Sequence, residues 1–155
     1  LQESLQAPQS HKEYMAIVRG RPKTSSGEWS APLTPKAEGR RQPAGHQRDR
    51  ISARTRFDIV AHNPWLTQLR CELVTGRQHQ IRKHAALAGC HLVGDRRYGD
   101  LKHAEMMKRR FDFVGCALHA ARLILWWQGE RRVFEAPLPP SWERFGLEPI
   151  RETES

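Results

Sequence analysis

Two runs of alternating side chains set the first limit on how this chain folds. In Ser52–Val60, Thr55, Phe57 and Ile59 alternate with Arg54, Arg56 and Asp58. In Leu66–Val74, Leu69, Cys71 and Leu73 alternate with Gln68, Arg70 and Glu72. A two-residue period places one set on the core face of a strand and the other in water. His62-Asn63-Pro64 between the runs reads as a turn, so the pair forms an antiparallel hairpin. After Thr75-Gly76-Arg77 the period changes. Ile81, Ala85 and Ala88 are spaced as one face of a helix, which is expected to start at Thr75 and to end at Gly89.

The other segments supply partners for this hairpin. His11–Arg19 carries Tyr14, Ala16 and Val18 on one face and Met15 and Ile17 on the other, a strand covered on both sides and ended by Gly20 and Pro22. Ala117–Trp127 is almost continuously apolar and is expected to be a central strand, also covered on both faces. Gln128-Gly129-Glu130 turns it back into Arg131–Ala136. Leu101–Arg110 reads as a charged helix, and Ser141 is expected to cap a last short helix containing Trp142 and Phe145. Residues 20–50, poor in apolar side chains, read as a loop-rich excursion, and residues 147–155 as a frayed tail. The expected class is α+β: a mixed, mainly antiparallel sheet with a few helices, in one domain of 155 residues.

Charge narrows the partner. Lys and Arg number 26 against 17 Asp and Glu, a net charge of +9, and most of the cations are Arg. Such a field suits a polyanion, and Arg forks match phosphates and stack on bases. Zinc is not expected: His79 and His84 miss the spacing of a HExxH helix, and Cys71, Cys90 and Cys116 form no CxxC pair. Packed thiols are the reading for the cysteines. No apolar run reaches the length of a membrane span, so a soluble cytoplasmic protein is the expectation. Thr75-Gly76-Arg77 could cradle a phosphate, although the GxxxxGK spacing is absent. Arg82 reads equally as a surface residue or as one half of an ion pair, for which a partner should then exist.

The stretch LVTGRQHQIRKHAALAGCHLVGDRRYGD resembles the signature of the RluA-type family of RNA pseudouridine synthases. KEYMAIVRG resembles that family's Lys-x-Tyr strand, SARTRFDIV its Ala-x-Thr-x-Phe strand, and ALHAARLIL with VFEAPLP its closing Leu-His-Ala strand and terminal hairpin. These matches run from about Lys12 to Trp142 in the family's order. Asp100-Leu101-Lys102 and the basic segment after it are similar to the branch acting on tRNA.

The resemblance implies isomerisation of uridine to pseudouridine in tRNA or rRNA, with no cofactor, on a uridine flipped out of its stack. It implies catalytic roles for Tyr14, which packs on the base, and for Arg82, which pairs with the catalytic Asp. Leu118 would line the uracil pocket, Gln80 would contact substrate, and Arg77 and His79 would contact RNA or serve as local scaffolding. Gly94 and Asp95 would form a turn whose carboxylate holds backbone N–H groups. Arg40, Arg41, Arg48 and Arg50, in the loop-rich excursion, are candidates for RNA binding. In the family the catalytic Asp lies in a His-Arg-Leu-Asp segment upstream of the Lys-x-Tyr strand. None of Asp49, Asp58, Asp95, Asp100 or Asp112 has that context. The expectation is therefore an incomplete, C-terminal part of one catalytic domain, monomeric when intact and inactive as these 155 residues alone. The alternative is a non-catalytic RNA-binding protein on the same scaffold.

Overall fold

The strand β1 (His11–Arg19) is the one on which the sheet is built, because both of its faces are apolar. Ala16, Ile17 and Val18 are fully buried in the computed structural model, which describes residues 1–151. Ala16 and Val18 meet Phe57, Ile59, Leu69 and Cys71 on one face of the sheet, beneath Ile81 and Ala85 of a helix. Ile17 packs on the other face with Leu66, Val93, Met107, Trp142 and Phe145.

Around β1 the strands are β2 (Ser26–Trp29), β3 (Thr55–His62), β4 (Leu66–Leu73), β5 (Leu118–Trp127), β6 (Glu130–Glu135) and β7 (Glu148–Pro149). The order is β2-β3-β4-β1-β5-β6, with β7 added to β3, and every pairing among the described residues is antiparallel. The α+β class and the β3–β4 hairpin stand as expected. Phe57 faces Cys71 and Ile59 faces Leu69, while Asp58 lies opposite Arg70 and Arg56 opposite Glu72. Core side chains thus pair on one face and opposite charges on the other, which fixes the register. The described residues also form three α-helices: α1 (Gln2–Gln6), α2 (Gln80–Leu87) and α3 (Leu101–Phe111).

Several boundaries differ from the sequence reading. The helix after the hairpin starts at Gln80 rather than Thr75, because Thr75 and Arg77 bond to the Gln80 side chain in an irregular turn. Ile81 and Ala85 are buried, but Ala88 is an exposed helix-terminal residue. β5 is not covered on both faces. It is next to the edge strand, only Leu125 on it is fully buried, and Trp126 and Trp127 are exposed, as is all of β6. The last turn, Pro140–Phe145, is a 3-10 helix entered from Pro139, and no Ser141 side-chain cap is made.

Residues 148–149 are paired to Ala61 and His62, and Ile150 packs against the core, so this part of the tail is held; residues 152–155 lie outside the described residues. Residues 20–50 contain β2 and a 3-10 turn, and Leu33 and Ala44 bury themselves with Ala53 in a small separate core. No helix among the described residues is long and apolar enough to cross a membrane.

Asp100 starts α3 by accepting the N–H groups of Lys102 and His103. His103 is buried and its ring stands edge-on to His91. Burial, with the nearby charges of Arg19 and His91, lowers its pKa to about 4. The folded state therefore binds its proton less readily than the unfolded chain. Stability is fully present above the usual histidine value near pH 6.5 and falls as pH drops toward about 4, by at most ~1.4 kcal/mol per pH unit for this one group. In urea titrations across that window, His103→Gln should flatten the slope.

Candidate active site

Between Thr75 and Gly99, three groups of buried or half-buried polar side chains are bonded to the surrounding backbone. Gln80 is its first node. Its amide donates to the Arg54 carbonyl at 2.9 Å and to Thr55 Oγ1 at 2.9 Å. Its carbonyl accepts from Thr75 Oγ1 at 2.6 Å and from the Arg77 N–H at 3.1 Å. All of the hydrogen-bonding capacity of a buried amide is thereby used within the chain. Gln80 is a scaffold residue, which corrects its expected place among substrate contacts. The same bonds correct the phosphate cradle: the Thr75 N–H goes to the Arg54 carbonyl and the Arg77 N–H to Gln80, so neither awaits an anion.

Lys83 and His84, on the same face of α2 as Gln80, form the second node. The Lys83 ammonium is completely buried and donates to the carbonyls of Thr34 and Lys36 at 3.0 and 2.6 Å. Desolvation lowers its pKa. His84 bridges Thr55 Oγ1 and the Ala31 carbonyl, both at 2.9 Å, and burial lowers its pKa too. The Ala31 carbonyl can only accept, so Nε2 carries the proton and Nδ1 accepts from Thr55. These two side chains tie residues 31–36 to the helix. The sequence reading missed them. The signal was present as polar residues at i, i+3 and i+4 beside the apolar pair Ile81 and Ala85.

Arg82 is the third node. Its Nε donates to Asp95 Oδ2 at 2.9 Å and its Nη2 to Oδ1 at 2.8 Å, a bidentate pair. Oδ1 also accepts the N–H groups of Arg97 and Tyr98 at 2.9 and 3.0 Å. The Asp95 side chain is fully buried, whereas that of Arg82 is 21% exposed. Burial alone would raise the Asp95 pKa; the bonds from Arg82, Tyr98 and Arg97 outweigh it and hold the carboxyl below its usual value. The Arg82 guanidinium lies 5.1 Å from the centre of the Tyr98 ring. The Tyr98 hydroxyl accepts from the Glu38 N–H at 3.0 Å and bonds His79 Nδ1 at 2.8 Å. His79 occupies the left-handed region, with φ of 57°, at the start of α2.

Two glycines permit this arrangement. Gly94 has φ of 76°, and a Cβ there would lie 1.9 Å from the Gly115 carbonyl oxygen. At Gly99 a Cβ would lie 2.5 Å from the Asp95 carbonyl oxygen.

The expected residues divide clearly. Tyr14 and Leu118 are half-buried and border the same hydrophobic cluster as Ile81, the neighbour of Arg82 in α2. In the pairing of β1 with β5, Tyr14 lies opposite Ala120 and Ala16 opposite Leu118. Arg77 donates its Nε to the Ser52 carbonyl. Arg40 donates to the Arg96 carbonyl, and Arg50 donates through two nitrogens to the Gly45 carbonyl, within the loop. Arg41 and Arg48 are exposed. Burial raises Cys71 and Cys116 to about 12 and Cys90 to about 11, so all three are thiols at neutral pH.

Residues 1–87 match the RNA pseudouridylate synthase family. The chain belongs to this family. Its relatives include Uncharacterized RNA pseudouridine synthase YlyB of Bacillus subtilis, 36% identical over 132 residues that span 83% of this chain and 40% of the relative. Ribosomal large subunit pseudouridine synthase C of Salmonella typhimurium is 34% identical, over 93% of this chain and 46% of its own. The chain thus spans under half the length of these curated relatives. Among solved structures, Human RNA Pseudouridylate Synthase Domain Containing 4 superposes with a TM-score of 0.76 over 95% of this chain and 66% of the human one, at 22% identity, a likeness of fold.

Removing Arg82 would strand a buried carboxylate. Arg82→Ala is expected to cost about 3 kcal/mol or more, read from the urea midpoint at neutral pH, with Arg82→Lys intermediate. The low Asp95 pKa supplies stability above the usual carboxylate value of 3.8, which is lost as pH falls through the folded value. Asp95→Asn should remove that acid limb; an unchanged acid limb would show that Asp95 does not supply it.

Proposed function

We propose that this protein acts in the isomerisation of uridine to pseudouridine in RNA. The observation that carries the reading is the Arg82–Asp95 pair within a family-matching chain. Arg82 commits Nε and one Nη2 hydrogen to Asp95 and keeps Nη1 on a side chain that is not fully buried. A planar guanidinium has five donor hydrogens, so it can hold Asp95 and a second anion together. In this reading the second anion is the carboxylate that starts the reaction. Asp95 cannot serve, since Arg82 and two backbone N–H groups already occupy it.

Tyr14 and Leu118, at the border of the same cluster, would flank the uracil. The glycosidic C–N bond breaks, uracil turns, C5 bonds to the sugar as its proton leaves, and the freed N1 takes up a proton. In this reading Tyr14 assists the proton's departure from C5. The scaffold formed by Gln80, Lys83 and His84 would hold Arg82 in place throughout.

Ribosomal RNA is the favoured substrate, because relatives carry that name. The tRNA reading leaned on Asp100-Leu101-Lys102, and Asp100 has a structural reason to be there as the cap of α3. Among the loop arginines, the RNA contacts would be Arg41 and Arg48, since Arg40 already bonds the Arg96 carbonyl and Arg50 the Gly45 carbonyl.

The reaction replaces a C5–H bond by a C–C bond, so RNA carrying C5-tritiated uridine releases its tritium. The protein expressed from its full reading frame should release it, and Tyr14→Ala and Arg82→Lys should each slow release by at least ~100-fold while RNA binding changes little. No release by the wild type would leave the non-catalytic RNA-binding reading. The 155 residues alone are expected to be inactive, and release by them would place the starting carboxylate within the chain. Replacing Arg41 and Arg48 together should weaken RNA binding and reduce the slope of log affinity against log salt by roughly 1.4, at ~0.7 per phosphate of a single strand.

A further inference from the structure

A groove of about 970 Å³ lies away from Arg82, Asp95, Tyr14 and Leu118, none of which lines it. It is bounded by the end of β1 at Arg19–Arg21, by the β3–β4 turn at Asn63–Leu66, by α3 at Met106–Phe111, and by Phe145–Glu148. Its floor includes Leu66, Met107 and Phe145, members of the core on the Ile17 face of the sheet; α2 covers the opposite face. Arg19 is about 17 Å from Tyr14 along β1, at ~3.4 Å per residue.

Trp65 is the unusual member. It is 73% exposed and belongs to none of the core clusters, so packing gives no reason for a tryptophan there. Its backbone is nevertheless fixed from three sides. Asn63 Oδ1 accepts the N–H groups of Trp65 and Leu66 at 2.9 and 2.8 Å, and Asn63 Nδ2 donates to the Phe145 carbonyl at 2.9 Å. The Gly20 N–H donates to the Trp65 carbonyl at 2.7 Å. A large aromatic face is thus held out to solvent on a preorganised turn.

Charge around it is mainly positive. Arg21 and Arg110 have no carboxylate partner among the described residues, and Arg110 extends the basic run Lys108-Arg109-Arg110 at the end of α3. Arg19 is shared with Asp100 at 3.3 Å, and Glu148 is the one acidic side chain lining the groove among the described residues. An aromatic platform flanked by guanidinium groups that have no carboxylate partner among the described residues, Arg110's lying 6.0 Å from the Phe111 ring centre, matches a base with its phosphates better than it matches an apolar helix or an acidic peptide, neither of which uses both features.

We propose that this groove holds an unstacked nucleotide of bound RNA, its base stacked on Trp65 and its flanking phosphates on Arg21 and Arg110. The proposal rests on the reading of the protein as an RNA enzyme. It adds a second contact, round the end of the sheet from the candidate active site, which favours RNA long enough to reach both.

The test uses the protein expressed from its full reading frame and an oligouridylate of roughly a dozen nucleotides, within the span that such single-strand sites cover. Binding is followed by fluorescence anisotropy of labelled RNA at several salt concentrations. Trp65→Ala should weaken binding about tenfold, as expected for loss of one stacked base. Arg21→Ala with Arg110→Ala should lower the salt slope by roughly 1.4, two phosphates at ~0.7 each. Circular dichroism checks that each variant folds, and Trp65→Phe, which keeps a ring, should recover most of the affinity. Wild-type affinity in both Trp65→Ala and the double arginine variant would overturn the groove as an RNA site while leaving the enzyme reading intact. A wild-type protein that binds no RNA would overturn both.

Discussion

Arg82 and Asp95 meet through two hydrogen bonds in a setting where neither could stand alone. Asp95 is buried to zero side-chain exposure, and a bare carboxylate there would be strongly disfavoured. Arg82 supplies the countercharge, and the N–H groups of Arg97 and Tyr98 supply the remaining bonds. The pair joins α2 to the Gly94–Gly99 turn, and that turn places Tyr98 beneath the guanidinium. The loop at Glu38 reaches this junction through Tyr98, and the β3–β4 hairpin reaches it through Gln80.

A division of labour within one short helix emerges. Ile81 and Ala85 bind the sheet by hydrophobic burial. Gln80, Lys83 and His84 hold the segments at 31–36, 54–55 and 75–77 through the carbonyls of Ala31, Thr34, Lys36 and Arg54, the hydroxyls of Thr55 and Thr75, and the Arg77 N–H. Arg82 faces neither. Its rigidity is borrowed from neighbours on both sides in sequence, which is how an eight-residue helix, too short to be stable alone, can hold a charged group steadily.

Much of this was legible from residue patterns. The alternation in Thr55–Ile59 and Leu69–Leu73 encodes the hairpin and its register, because a slip of one residue would bury Arg56 and Arg70. The Gly94-Asp95 turn and its N–H bonds were legible from the family signature. Other features were not. Gln80 looks like a contact residue in sequence, since an amide that bonds backbone and one that bonds substrate have the same one-letter code. A lysine is taken for a surface residue until the carbonyls of Thr34 and Lys36, almost fifty residues away in sequence, are seen around it. The β5 strand misled for the opposite reason: its apolar run implied cover on both faces, while Trp126 and Trp127 lie exposed beside an edge strand. Arg82 was expected to require a carboxylate from beyond the chain, and Asp95 already fills part of that need.

The Lys83 clamp has a consequence for handling the protein. Its ammonium is buried against carbonyl dipoles, not against a carboxylate at the surface, so dissolved ions have little access to it. Contacts with RNA phosphates, by contrast, dissolve as counterions compete. Raising ionic strength should therefore strip nucleic acid from the protein while the segment from Ala31 to Lys36 stays docked on its helix. High-salt washing is then a route to a nucleic-acid-free sample with that part of the fold undisturbed.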